Sequence, residues 1–516
     1  MSSIIAAEAP AAPTSVNPWL IAPLVAMAAF MEIMDISIAN VALPHIAGSL
    51  AASQDESTWV LTSYLVTNAI VMPISGWLAD TFGRKRVFLT CIAGFTGSSL
   101  LCGIAPNLPA LMLLRAVQGA AGGGLQPLGQ AILNDSFPAE KRGMATALYG
   151  MATVVAPVMG PVLGGWLTDS YSWRWIFLIN VPVGALLFSA MSSLLRGSRS
   201  SKTGPVAVDG WGFAFTAISL GALQIVLDRG QEDDWFGSQL ITTLIILSAL
   251  GFVLLTWWEL RQERPMVDVR LLLQREFLIA FTTMGVGIGV LIFGSSFLIP
   301  AYTQGLMGYT AFKAGLALAP GGLVTVILMP IIGRLVSRVD LRVIAAFGLL
   351  LSGLATLWMT NFDLDVSFGV ILLARAAQNA GIAFLFIPVS TLAFRSIPQS
   401  RMNSASALIN LARNLGGSVG ISGVQVLLDQ REQLHQSRIV ELLQPLNPAY
   451  PGFVQQLGGL DAPATLSRVY QTAVQQATML SYLDDFKFLG LMSLALIPLL
   501  FLVKPGKGGG GPISLH

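Results

Sequence analysis

Predominantly apolar runs of about twenty residues recur along this chain from one end to the other. A helix of that length crosses roughly 30 Å of hydrocarbon. Inside a bilayer every backbone polar group must be paired within its own segment, so the runs predict helices. The composition, 54% hydrophobic and 11% charged residues, is that of a polytopic membrane protein. The fourteen predicted spans are 19–41, 57–79, 87–105, 109–133, 144–168, 173–195, 209–229, 238–258, 277–299, 314–336, 341–360, 367–394, 404–428 and 485–503.

The lysines and arginines predict how these spans are oriented. If the N-terminus lies inside, nineteen of the 29 cations fall in inner loops, at the inner ends of spans or in the C-terminal tail. Seven fall in outer loops or at the outer ends of spans. Positive charge is enriched on the cytoplasmic side of membrane proteins. We therefore expect both termini to be cytoplasmic. The other three cations, Arg115, Arg375 and Arg413, lie within spans.

An internal repeat divides the chain. GWLADTFGRKRV, from Gly76, is echoed by GRLVSRVDLRV, from Gly333, and RAVQGAAG, from Arg115, is echoed by RAAQNAG, from Arg375. The two offsets, 257 and 260 residues, are nearly equal. Two six-helix bundles separated by two extra helices fit this distance. The predicted domains are 1–200, 201–262 and 263–516.

Two carboxylates interrupt the first apolar run. Glu32 and Asp35 fall on one helical face with Ala28, Ala39 and Ala42, where another helix can approach closely. A carboxylate at membrane depth costs roughly 2.5 to 3.5 kcal/mol and faces protein or water rather than lipid. These two acids are therefore candidate functional residues.

The fourth run carries a polar stripe. Arg115, Gln118 and Gln126 share one helical face with several glycines, which is not a lipid-facing pattern. Arg115 and Asp35 lie at similar depths in their spans, so an ion pair between them is possible. Arginine stays protonated, whereas a carboxylate can load and release a proton. A purely structural pair is the alternative.

Polar residues also occur in two runs of the second half. Arg375 lies near Gln378, and Arg413 lies near Asn410. With Gln118 and Gln126 they are candidates for lining a substrate cavity. Either they bind substrate or they satisfy one another's hydrogen bonds.

A short inner loop combines an acid, a turn glycine and cations. Gly76, Asp80, Gly83 and Arg84 predict a latch, because Asp80 can pair with a cation or cap the start of a neighbouring helix. The alternative is a cluster that only sets membrane orientation.

The fifth run is rich in glycine and proline. Proline removes a backbone donor and glycine admits close packing, so we expect this helix to bend and slide against a neighbour. A tightly packed static helix is the alternative. The predicted hinge residues are Gly150, Pro157, Gly160, Pro161 and Gly164.

A long outer segment, 429–484, contains two helix-like stretches around a middle rich in proline and glycine. A segment of this length usually has a role. We expect a docking surface or a lid, with a solvated linker as the alternative.

Together these motifs resemble those of the major facilitator superfamily. MDISIANVALP, from Met34, is similar to the first-span motif of the 14-span drug:proton antiporters, and GWLADTFGRKR, LLRAVQG and the glycine and proline run are similar to three more of their motifs. WRWIFLINVP, from Trp173, and LDRG, from Leu227, resemble EmrB-type inner-membrane multidrug pumps.

The resemblance implies an all-α fold of two bundles around a central cavity, with access alternating as the halves rock. It also implies Asp35 and Arg115 as the proton-coupling pair and the fifth run as the antiport hinge. Glu32 is an extra acid beside Asp35 that the family pattern does not account for. It is a further candidate for proton coupling and indicates a different substrate or proton stoichiometry. EmrB-type pumps work with a periplasmic adaptor protein and an outer-membrane channel, which implies a bacterial inner membrane.

The expected function is proton-driven export of small hydrophobic drugs, by a protein that is not an enzyme and whose partners are protons, drugs and membrane lipid. We expect no cofactor, no metal and no nucleic acid. A dedicated exporter of one endogenous metabolite or siderophore is the main alternative, and a channel or a receptor is another. A membrane enzyme is disfavoured because His45, His435 and His516 are scattered along the sequence.

Overall fold

A computed structural model describes residues 17–195, 209–263, 265–443 and 465–505, together with residues 452 and 455. Within these residues the chain is helical and contains no strand. The first half contains α1 (Pro18–Ser49), α2 (Gln54–Phe82), α3 (Arg84–Gly103), α4 (Leu108–Gly122), α5 (Leu125–Ser136), α6 (Ala139–Ser170), α7 (Trp175–Leu178) and α8 (Asn180–Leu194). The middle contains α9 (Gly210–Arg229) and α10 (Gln239–Glu259).

The second half contains α11 (Arg275–Thr282), a π-helical stretch (Thr283–Val290) that leads into α12 (Leu291–Gly305), α13 (Ala311–Leu335), α14 (Leu341–Trp358), α15 (Phe368–Arg395), α16 (Met402–Leu442), α17 (Thr465–Ala495) and α18 (Ile497–Phe501). Short 3-10 turns lie at Trp235–Gly237, Val269–Leu273, Met359–Asn361 and Gln399–Arg401.

Side-chain caps fix where several helices begin. The Asn107 carboxamide oxygen accepts the backbone N–H of Ala110 at 2.9 Å, at the start of α4. Ser53 and Glu56 form a reciprocal capping box at the start of α2. These bonds satisfy amide groups that have no partner within the first turn of a helix.

All fourteen predicted runs lie on helices. In the described part of the chain, eleven helical segments are long and apolar enough to cross a membrane. The fourth run is divided between α4 and α5 at Gly123 and Gly124, and the last run is divided between α17 and α18. The prediction of an all-helical multi-pass membrane protein is confirmed, while the span count of fourteen and the cytoplasmic position of both termini stay predictions.

The two halves meet most extensively along two pairs of helices, and α5 also contacts α16. α6 packs against α13 on one side, and α2 packs against α16 on the other. α9 and α10 pack on each other, and α9 also contacts α2 and α16. The domain division at 1–200, 201–262 and 263–516 stays a prediction, since residues 196–208 and 264 lie outside the described residues.

The outer segment 429–484 is built differently from a free-standing loop. α16 is a single helix of 41 residues that continues past residue 429, and α17 begins at Thr465. The two extensions pack together, with His435 Nε2 at 3.0 Å from Asp484 Oδ2. The helix-like stretches predicted in segment 429–484 are therefore continuations of α16 and α17. The proline- and glycine-rich middle of the segment lies outside the described residues, apart from 452 and 455.

Candidate proton and substrate site

The Asp35 carboxylate is buried and bound by three side chains. Arg115 Nη1 donates to its Oδ2 at 2.5 Å, while Asn180 Nδ2 at 2.7 Å and Gln118 Nε2 at 3.1 Å donate to its Oδ1. Asp35 is 2% exposed and Arg115 is 0% exposed. A buried ion pair holds together only when its remaining hydrogen-bonding groups are also satisfied. The carboxylate of Asp35 meets that condition.

The guanidinium of Arg115 is positioned by the same half of the protein. Its Nε donates to the carbonyl of Val60 at 3.1 Å, and its Nη1 donates to Gln118 Oε1 at 2.8 Å. It also lies over the ring of Tyr64, 4.3 Å from the centroid, in a cation–π contact. The Asp35–Arg115 pair can therefore move as one body with the first half.

Asn180 is a site residue that the sequence reasoning missed. It begins α8 and joins Asp35 to Ser99, whose Oγ accepts from Asn180 Nδ2 at 3.1 Å. The segment containing it, WRWIFLINVP, served only as a mark of family resemblance. The feature of the sequence that could have identified Asn180 is an amide side chain inside an apolar run.

Glu32 has separate partners from Asp35, although both lie on one stripe of α1. It is 0% exposed, and its Oε1 accepts from Asn68 Nδ2 at 2.9 Å. Its other oxygen, Oε2, has no hydrogen-bond partner in the described part of the chain. The two acids therefore occupy different environments.

Polar side chains connect the two halves near Glu32. Arg413 Nη2 donates to Gln126 Oε1, and Asn410 Nδ2 donates to Gln130 Oε1 at 2.7 Å. Arg413, on α16 of the second half, also interacts electrostatically with Glu32 on α1 of the first half. This set of residues spans the interface between the bundles.

Arg375 occupies a third, distinct polar site. Its Nη1 donates to Gln378 Oε1 at 2.5 Å and to Ser295 Oγ at 2.7 Å, and its Nη2 donates to Ser296 Oγ at 2.7 Å. Gln378 in turn donates to Thr356 Oγ1 at 2.8 Å. The predicted cavity residues are thus divided among three clusters in which they partly satisfy one another.

The turn between α2 and α3 requires a glycine. Gly83 has φ of +91°, a conformation that side chains disfavour. Gly76 lies close to α16, because a Cβ added there would come within 2.9 Å of the Ser404 backbone nitrogen. Gly76 therefore lets the end of α2 lie tight against the second half, and Gly83 allows the turn into α3.

The acid and the cation of this turn each have a partner. Asn403, in the first turn of α16, donates from its Nδ2 to Asp80 Oδ1 at 2.6 Å. Arg84 forms an ion pair with Asp135. Asp80 therefore connects the two halves at the end that the cation distribution predicts to be cytoplasmic.

The predicted hinge helix, α6, contacts both α1 and the second half. A Cβ on Gly160 would overlap Ser37, and Ser37 Oγ donates to the carbonyl of Pro157 at 3.1 Å. Gly164 packs on the backbone of α1, whereas Gly150 packs against side chains of α13 and α15. Pro157 and Pro161 lie inside the helix without ending it.

An apolar groove also lies between α1 and α6. Its volume is about 300 Å³, within the range of small-molecule pockets. It is lined by Pro23, Ala26, Met27, Phe30, Leu148, Met151, Ala152 and Val155.

Residues 25–421 match the family model of the Major Facilitator Superfamily. The chain is 37% identical to the multidrug export protein EmrB of Escherichia coli strain K12, over 94% of this chain and 95% of that protein. It is 38% identical to the EmrB of Haemophilus influenzae, over 93% and 95%. It is 37% identical to the fatty acid resistance protein FarB of Neisseria gonorrhoeae, over 94% and 96%.

Two solved structures share the fold. The human organic anion transporter MFSD10 aligns with a TM-score of 0.58 at 14% identity, over 94% of this chain and 99% of that one. The proton:xylose symporter XylE aligns with a TM-score of 0.57 at 13% identity, over 95% and 97%. The chain therefore belongs to the Major Facilitator Superfamily, as its motifs predicted.

Proposed function

We propose that this protein is a proton-coupled antiporter that exports small hydrophobic drugs across a bacterial inner membrane. The observation that carries the proposal is the buried Asp35 carboxylate held by Arg115 inside a major facilitator fold. Relatives covering nearly the whole chain are named multidrug export proteins. The groove between α1 and α6 is lined by apolar side chains, which is compatible with hydrophobic cargo.

The proton is carried by carboxylates. Asp35 exchanges it, while Arg115, which does not lose its own proton, remains the hydrogen-bond partner of the carboxylate. Moving one charge across 100 mV supplies about 2.3 kcal/mol, which corresponds to a forty- to fiftyfold gradient. One or two protons for each substrate molecule are enough.

Glu32 connects the proton to the rocking of the halves. Asp35 and its cation lie on the same half, so rigid-body rocking leaves that pair together. The cation acting on Glu32, Arg413, lies on the other half. Separation of the halves withdraws this positive charge from Glu32 and changes its affinity for a proton.

The contacts of Asp80 and Gly76 with the start of α16 hold the cytoplasmic side closed. Opening to the cytoplasm breaks the Asp80–Asn403 bond, and α6 moves against α13 and α1. We expect a periplasmic adaptor, with an outer-membrane channel beyond it, to contact the paired extensions of α16 and α17.

Transport in proteoliposomes tests the proposal. With an imposed proton gradient, we expect the protein to move several unrelated dyes, and Asp35→Asn to abolish that transport. Asp169→Asn is the matched control, because Asp169 is an exposed carboxylate at the end of α6. Unchanged transport by Asp35→Asn contradicts the proton assignment, and saturation by one compound without dye transport favours a dedicated exporter.

A further inference from the structure

The two halves place different groups beside their equivalent arginines. The repeat offset of 260 residues that relates Arg115 to Arg375 also relates Asp35 to Ser295. The structure supports this equivalence, since Arg115 Nη1 donates to Asp35 and Arg375 Nη1 donates to Ser295. In the second half, a short neutral hydroxyl therefore stands where the first half has a carboxylate.

The charge of Arg375 is not balanced by a neighbouring acid. Its hydrogen-bond acceptors are Ser295, Ser296 and Gln378, and it forms no ion pair within the described residues. Within the described residues each arginine has one nitrogen without a hydrogen-bond partner, Nε in Arg375 and Nη2 in Arg115. The difference between them is therefore the neighbouring carboxylate, which Arg115 has and Arg375 lacks. The side chain of Arg375 is nonetheless 1% exposed.

A buried guanidinium of this kind favours an anion. Arginine cannot lose its proton, and an uncompensated charge in a low-dielectric interior is costly. A carboxylate matches the planar fork of the guanidinium and can accept two parallel hydrogen bonds. One turn along α15, Asn379 is 2% exposed, and its Oδ1 has no hydrogen-bond partner in the described part of the chain.

We propose that Arg375, Ser295 and Ser296 form a binding site for the carboxylate group of a hydrophobic organic anion. The first half holds an internal carboxylate for the proton, and the second half receives the carboxylate of a cargo molecule. This step rests on the proposed export function, which it narrows to include amphipathic carboxylates among the exported compounds.

Binding to the purified full-length protein in nanodiscs tests the site. Decanoate and decanol have the same chain length and differ in charge, so their affinity ratio measures recognition of the carboxylate. In the native protein we expect decanoate to bind more tightly. In Arg375→Gln we expect the decanoate-to-decanol ratio to fall about tenfold or more, the usual effect of losing a charged hydrogen bond.

Two further variants keep the test decisive. Ser295→Asp places a carboxylate beside Arg375, as Asp35 lies beside Arg115 in the first half. Because the charge of Arg375 is then balanced within the protein, the preference for decanoate over decanol should disappear although Arg375 is unchanged. Arg338→Gln removes an exposed arginine and should leave the ratio unchanged. An unaltered ratio in both Arg375→Gln and Ser295→Asp, with folding verified by thermal unfolding, overturns the site.

Two further measurements test separately which anion the site recognises and whether the protein exports drugs. Acetate or chloride that displaces decanoate at equal concentration overturns recognition of an organic anion in favour of a small-ion site. Proton-driven dye transport by the native protein tests the export function alone. Failure of that transport with the decanoate preference intact counts against the proposed function and not against the anion site.

Discussion

At the scale of single residues, Glu32 and Asp35 lie on one helix but have different hydrogen-bond and electrostatic partners. Asp35 has three side-chain donors, all from the first half. Glu32 accepts a hydrogen bond from Asn68 and has an electrostatic partner, Arg413, on the second half. Rocking of the halves thus changes the distance between Glu32 and its partner on the second half, and it leaves the hydrogen-bond donors of Asp35 in place.

Asn180→Ala should destabilise the protein, because it removes a donor to the buried Asp35 carboxylate. Leaving a buried acceptor less satisfied costs roughly 1 to 3 kcal/mol, so we expect a lower unfolding temperature and slower proton-coupled export. Thermal unfolding in detergent and dye transport measure the two effects. Asn361→Ala is the control, since Asn361 is exposed and bonds only to a nearby carbonyl. Equal stability of the two variants would contradict this role of Asn180.

At the scale of elements, the end of α2 and the start of α16 form the contact that we interpret as a latch. The close approach of the two helices depends on Gly76, and the turn from α2 into α3 depends on the positive φ of Gly83. The Asp80–Asn403 bond then joins the two helices across the halves. The contact is short-range, so a small separation of the helices breaks it.

Gly76→Val should shift the protein towards a conformation open to the cytoplasm. The added atoms collide with the backbone of α16 near Ser404, which cannot move without moving the helix. We expect increased labelling of cysteines introduced on the inner cavity surface. Gly97→Val is the matched control, because a Cβ at Gly97 meets nothing within 4 Å. The latch interpretation fails if both variants label alike.

The sequence predicted most elements but not all of their geometry. Apolar run length located the helices, and residue type identified Asp35 and Arg115 as a candidate pair. The π-helical stretch Thr283–Val290 was not foreseen, because a uniformly apolar sequence has no periodicity that separates it from an α-helix. The Arg413–Gln126 bond joins residues 287 positions apart, which no local pattern specifies.

At the scale of the whole molecule, the middle helices bridge the interface between the halves. Gln224 Nε2, on α9, donates to Ser418 Oγ on α16 at 2.9 Å. Arg229 Nη1, at the C-terminal end of α9, donates to Thr58 Oγ1 on α2 at 2.9 Å. α9 therefore contacts both halves along the α2–α16 side, where it must slide if the halves rock.

A disulfide between Gln224→Cys and Ser418→Cys should block transport by fixing α9 to the second half. We expect oxidation to abolish most dye export and a reductant to restore it. The two native cysteines are free and buried. The control pair, Ser219→Cys with Ser248→Cys, joins α9 to α10, where the native serines already lie in contact. Undiminished export by the oxidised first pair would show that α9 need not move relative to α16.

The length of α16 has a mechanical consequence. At 1.5 Å per residue, its 41 residues form a rod about 60 Å long, and one end touches the Asp80 contact. A tilt of roughly 10° about that end displaces the far end by about 10 Å. A rigid tilt of α16 therefore transmits any change at the Asp80–Asn403 contact to the opposite end of the helix, where the displacement is largest.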